Sequence, residues 1–188
     1  MIRLNCDYLE GCHPSILEKL TATNFEQTPG YGTDHYCKEA ADAIRNAFSC
    51  RESAVHFLVG GTQANMTVIA AALRPYEGVI CAETGHINVH ETGAIESTGH
   101  KCLALPHKNG LISASQVAVA VATQADDEHT VRPGMVYISM STETGTMYDR
   151  SQLKDLYYTC KQLGLYLFIN FPLIIIQNSI QINQICTN

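Results

Sequence analysis

A chain of 188 residues, 46% of them hydrophobic, can bury one sizeable core and does not need a second domain to do so. Its formal charge of −6, with only 12 Lys and Arg thinly spread, argues against a nucleic-acid or anionic-membrane partner and for small-molecule chemistry. Eight cysteines without a CxxC pair, and an N-terminus (MIRLNCDYLEG) with no apolar secretory segment, predict reduced core thiols in a cytoplasmic protein.

Residues 1–35 are turn-rich, punctuated by Gly11, Pro14, Pro29, Gly30 and Gly32, and read as an arm with one short helix at 14–20. Asp34 is placed to cap a helix over 35–48, where Cys37, Ala41, Ile44 and Phe48 recur at helical spacing. Next comes VHFLVGGTQAN at 55–65: an apolar run predicting a buried strand at 54–59, a glycine turn, and a helix over 63–73. Gly60 and Gly61 let backbone N–H groups approach a ligand with no Cβ in the way, and Thr62 opens the helix, so the turn suits a phosphate or carboxylate. An ordinary strand-to-helix turn capped by Thr62 fits the same residues. The pattern is neither GxGxxG nor GxxxxGK[ST].

Short strands are expected at 79–82, 102–105, 135–140 and 165–169. Between them lie a cluster ETGHINVHETGAIES at 83–97, a helix over 114–122 capped by Ser113, whose alanines and valines suit burial, and a helix over 152–163 capped by Ser151. Strands alternating with helices across short turns predict a three-layer α/β domain with a mostly parallel sheet, and such sheets bind ligands at the carboxyl ends of their strands. Gly60, the histidines after Ala82 and the Thr142-Glu143 pair all fall there. From Asn170 the composition changes to NFPLIIIQNSIQINQICTN, with no charged side chain after Lys161. The apolar stretch is too short for a membrane span and reads as an aggregation-prone tail at 170–188, of the kind that translation out of frame or past an exon boundary would produce.

Four segments occur in order: GTDHYCKEAADAI at 32–44, GGTQANMTV at 60–68, GHINVHETGAIE at 85–96 and STETGTMY at 141–148. Together they resemble the threonine aldolase and aromatic β-eliminating lyase family, over about residues 5–169. That resemblance implies a fold-type I large domain at 36–169 that uses pyridoxal phosphate, an amino acid substrate, and homo-oligomers as in the family. It also implies roles: Gly60, Gly61 and Thr62 for the cofactor phosphate, His86 stacked on the ring, and His129 as a second histidine near the substrate hydroxyl. Tyr31 would come from the rim, Glu91 would hold a water or a partner loop, and Cys6 occupies a place where relatives carry a serine for the substrate carboxylate. For His86 and His129, an ordinary loop histidine is the competing reading.

The departures from the family pattern are specific. The strand at 166–169 should lead into Asp-Gly-Ala-Arg, whose aspartate pairs with the pyridinium nitrogen, but Asn170, Phe171 and Pro172 stand there instead. Lys19, Lys38, Lys101, Lys108, Lys154 and Lys161 all precede the place of the family's Schiff-base lysine, and neither that lysine nor the C-terminal domain has a counterpart. The expectation is therefore the incomplete N-terminal half of a lyase cleaving a β-hydroxy-α-amino acid to glycine and an aldehyde, inactive alone. β-Elimination from an aromatic or sulfur amino acid, and a non-catalytic fragment pairing with an intact paralogue, are the alternatives.

Overall fold

The computed structural model describes residues 10–125 and 127–171. They fall into two compact units, one ending at Phe57 and the other beginning at Leu58. The first contains α1 (Pro14–Thr23) and α2 (His35–Ala47). Pro14 opens α1 where its missing N–H costs nothing, but no residue of that helix is buried. The expected cap on α2 is present: Asp34 accepts from the Cys37 N–H at 2.9 Å, which holds its carboxyl below the usual range. Of α2, only Ala41 is buried.

The second unit contains α3 (Gly61–Ala72), β1 (Glu77–Ala82), α4 (His86–Val89), α5 (Ala94–Ser97), β2 (Cys102–Leu105), α6 (Ala114–Ala125), β3 (Arg132–Ser139), α7 (Arg150–Leu163) and β4 (Tyr166–Asn170). Its four strands lie in the order β2-β1-β3-β4, all pairings parallel. Both faces are covered, and successive residues of a strand feed opposite cores, as the two-residue period requires. Val79 and Cys81 of β1, with Met135 and Tyr137 of β3, pack with Ile69 of α3, Ile87 and Ile95. Ile80 and Ala82, with Val136 and Ile138, pack on the other side with Val117 of α6 and Leu153, Leu156 and Cys160 of α7. These are the three layers and parallel sheet expected from the alternation of elements.

Five expectations are corrected. Residues 54–59 form no strand, and Phe57, Leu58 and Val59 are 49, 43 and 97% exposed. An apolar run becomes a strand only when a neighbour accepts its ladder hydrogen bonds, and here the Val59 N–H goes instead to the Gln63 side chain at 2.8 Å. The N-cap of α3 is Gly60 and not Thr62, and that of α7 is Asp149 and not Ser151. In α7 the carboxylate accepts from the Gln152 N–H at 2.8 Å while Gln152 returns the bond to the Asp149 N–H at 2.8 Å. The helix α6 presents Val117 to the core but leaves Val119 at 65% exposure, so it is covered on one side only. Ser113 does cap it, accepting from the Gln116 N–H at 3.2 Å. Among the described cysteines only Cys81 and Cys160 are buried. The uncharged tail beyond Phe171 lies outside the described residues.

The order of the strands places the site. From β1 the chain goes outward to β2 and then returns to β3 on the other side of β1, so the direction of winding reverses between β1 and β3. At such a switch point the loops beyond the carboxyl ends diverge and open a crevice. The loops concerned are residues 83–93 after β1 and 140–149 after β3. The second is tied down by hydroxyls: Thr144 and Thr146 both donate to the Asn109 carbonyl, at 2.7 and 2.5 Å. Gly110 makes that close approach possible, since it sits at φ +80 and an added Cβ would lie 2.7 Å from the Thr142 and Thr144 hydroxyls.

Candidate functional site

At the start of α3 the first internal helical bond runs from the Ala64 N–H to the Gly60 carbonyl at 3.0 Å. The N–H groups of Gly61, Thr62 and Gln63 therefore belong to the first turn, where no helical carbonyl reaches back for them. Gly60 is extended, no side chain caps the helix end, and a Cβ built on Gly60 or Gly61 would meet nothing within 4 Å. This is an open, exposed turn of amide donors at the positive end of a twelve-residue helix, suited to an anion.

The loop after β1 turns sharply. The Gly85 N–H bonds back to the Ala82 carbonyl at 2.8 Å, and that carbonyl lies only 3.0 Å from where a Cβ on Gly85 would be. His86 follows as the first residue of α4. Its ring Nδ1 lies 2.8 Å from Glu91 Oε1, and the same oxygen accepts from Asn65 Nδ2 at 2.5 Å. The Glu91 side chain is fully buried, whereas the His86 side chain keeps 42% of its surface. Asn65 is 1% exposed, one helical turn in from Gly61. A buried carboxylate needs donors around it, and these two supply them. An ionised carboxylate only accepts, so opposite one Nδ1 is the donor, and in a neutral imidazole that tautomer leaves Nε2 as the acceptor. Glu91 Oε2 and Asn65 Oδ1 have no hydrogen-bond partner among the described residues. The His90 ring sits 5.5 Å from that of His86.

At the ends of β3 and β4, Asn170 donates from Nδ2 to the Tyr137 hydroxyl at 2.7 Å, and Ser139 donates to Glu143 at 2.7 Å. Burial pushes the Tyr137 phenol up to about 12, against the lowering effect of its bonds to Ser139 and Asn170. The Asn170 amide, expected to take the place of a charged carboxylate, thus gives one N–H to Tyr137, and what it has left is a second N–H and a neutral oxygen, with no negative charge.

The sequence-predicted residues divide sharply. Gly60, Gly61, Thr62, His86 and Glu91 belong to one unit, and α3 is joined to the His86 loop through Asn65. His129 is not brought to them. It lies exposed in the turn before β3, its N–H on Asp127 Oδ1 at 2.9 Å, and β3 starts at the same edge of the sheet as β1, opposite to where His86 emerges. Tyr31 is exposed at φ 62 in the N-terminal unit, and Cys6 lies outside the described residues. Asn65 and Tyr137 were missed. The available signal for Asn65 was a carboxamide at position 65, between Ala64 and Met66 in a run that is otherwise mostly apolar.

Among the described residues no group of His, Cys, Asp and Glu side chains is arranged to hold a metal ion, and no helix is long and apolar enough to cross a membrane. A family model described as beta-eliminating lyase matches residues 6–170. The low specificity L-threonine aldolase of Pseudomonas aeruginosa is 32% identical over 166 residues, which are 87% of this chain and 47% of that protein. The threonine aldolase of Leishmania major superposes with a TM-score of 0.83 at 43% identity, over 86% of this chain and 47% of that one. A pyridoxal phosphate-bound C-S lyase from Staphylococcus hominis, 13% identical with a TM-score of 0.59 over 82% of this chain and 40% of its own, shares the fold. The chain spans about half the length of the relatives it matches.

Proposed function

The chain belongs to the beta-eliminating lyase family, and from that premise we propose that it carries the cofactor-gripping part of a threonine aldolase-type lyase, which holds pyridoxal phosphate and acts on a β-hydroxy-α-amino acid. The observation that carries the reading is the link between two chemically different ends of the site. Asn65, one turn from the Gly60–Gly61 turn, grips the same carboxylate oxygen that holds His86. An anion at the start of α3 and a flat ring against His86 would therefore be referred to one rigid helix.

The residues present fit the phosphate and the ring face of the cofactor. First-turn N–H groups of Gly61, Thr62 and Gln63, the Thr62 hydroxyl and open space over both glycines suit a phosphate. When bound, the cofactor supplies an electron sink for the bond cleavage. His86 offers a planar imidazole whose orientation Glu91 fixes, and its Nε2 is the atom at which a proton would be accepted near substrate. Asn170 is the exception, because a neutral amide bonded to Tyr137 does not balance a positive ring nitrogen. Binding is accordingly the part of the activity that these residues support.

Titrating the whole chain with pyridoxal phosphate while following amide and histidine resonances tests this. Shifts concentrated at Gly61, Thr62 and His86 are expected, with an affinity around millimolar, on the order of −4 kcal/mol, from phosphate contacts alone. Thr62→Val and His86→Ala should each weaken it severalfold. Binding insensitive to both substitutions would overturn the proposal.

A further inference from the structure

We propose that Asn65 is a positioning residue for His86: its side-chain amide holds Glu91 Oε1 in place, so that the imidazole keeps its proton on Nδ1 and Nε2 remains the acceptor. The short element that carries His86 does not explain its orientation. Four residues of helix have little stability of their own, and the other bonds of the loop hold backbone, as when Asn88 ties back to the Glu83 carbonyl at 2.8 Å. Among the described residues only the bond to Glu91 addresses the ring through a hydrogen bond.

Glu91 in turn needs an anchor. A carboxylate presents two equivalent oxygens, and rotation about its last bond exchanges them at little cost. Here one oxygen carries both bonds while the other has no partner among the described residues, an unequal load that a freely turning group would not maintain. Asn65 breaks the equivalence. It is 1% exposed within a twelve-residue helix, where asparagine is a poor helix former, and among the described residues its side chain bonds to Glu91 alone, at 2.5 Å. The frame of α3 is thereby transmitted through Glu91 to the ring of His86, and the tautomer is set from a residue that itself does not reach the solvent.

The importance of His86 rests on the reading given above, but this relay can be tested without cofactor, so each can fail alone. Ring nitrogen shifts of 15N-labelled full-length chain, read where the ring is neutral, report the tautomer. The wild type should show Nδ1–H in large excess, with a downfield, slowly exchanging side-chain amide proton on Asn65. Asn65→Leu, which keeps the volume and removes the donor, should reduce the excess roughly tenfold, the effect of losing one hydrogen bond to a charged group. A well-dispersed spectrum of Asn65→Leu with the tautomer unchanged overturns the proposal. Should that variant fail to fold, the wild type decides by itself, because a ring protonated on Nε2 also overturns it. Retention of Nδ1–H together with failure of the pyridoxal phosphate titration would sink the cofactor reading and leave the relay standing.

Discussion

The helices α2 and α3 invert the usual expectation of which local signals matter. α2 has a side-chain cap at Asp34 and two ion pairs, Lys38 to Asp42 and Arg45 to Asp42, each at 2.9 Å. α3 has a glycine at its N-cap and no side-chain cap at all. Yet α2 buries only Ala41, whereas α3 buries Ile69 completely and holds the buried Asn65 against Glu91. Caps and exposed ion pairs decide that a helix forms and contribute a few tenths of a kcal/mol to about 1 kcal/mol each. Burial decides what a helix can position, and that is the property a site requires.

This contrast can be broken most forcefully in the core. Ile80→Ala, at a residue with no exposed surface, should cost about 2–5 kcal/mol, read as a lower urea midpoint at unchanged slope, whereas Ile16→Ala on α1, 51% exposed, should stay within about 0.5 kcal/mol. Comparable losses at both positions would show that α1 is packed as firmly as the sheet. Gly110→Ala comes next, at about 2 kcal/mol, because it combines a left-handed φ of +80 with contacts of 2.7 Å to two threonine hydroxyls. It should also loosen the loop after β3, seen as faster amide exchange at Thr142 and Thr146. The smallest effect sharpens the other side of the comparison. The Asp34 carboxyl is lowered by its bond to the Cys37 N–H, so its contribution to α2 is present above the unfolded value near 3.8 and fades as pH falls through the lower folded value. Helicity of α2, followed by secondary chemical shifts of residues 35–40, should drop in that acid window, and Asp34→Asn should keep the cap while removing this pH dependence.

Four of the five expected strands appear within about three residues of their expected ends, as do the bodies of α2, α3, α6 and α7. They were legible because a strand buried on both faces, such as β1, needs a continuous apolar run, and a helix packed on one face needs a three-to-four repeat. The run at residues 54–59 has the same composition and fails, since pairing depends on a partner that composition does not encode. The caps Thr62 and Ser151 were misplaced by two residues because a glycine can cap without a side chain and an aspartate two positions earlier closes a reciprocal box. At the site, glycines and histidines announce themselves by type. Asn65 and Tyr137 do not, because their importance lies in what stands opposite them after folding, 26 and 33 residues away along the chain.

The position of β1 between β2 and β3 also has a consequence in time. Its partners on one side include Arg132, paired with Glu77, and the chain between them must be made and drawn back before that ladder closes. Contacts of such long range are entropically expensive to form, and parallel sheets built from them fold slowly. The turn at Gly60, α3 and the His86 loop all precede β3 in the chain, so the link from Asn65 to Glu91 has its residues present early, whereas Met135 and Tyr137, which pack with Ile69 of α3 and Ile87 of α4, join only when the crossover is complete. During synthesis the anion turn would be exposed before the histidine is held in place, and the central pairing of the sheet would set the moment at which the two become one surface.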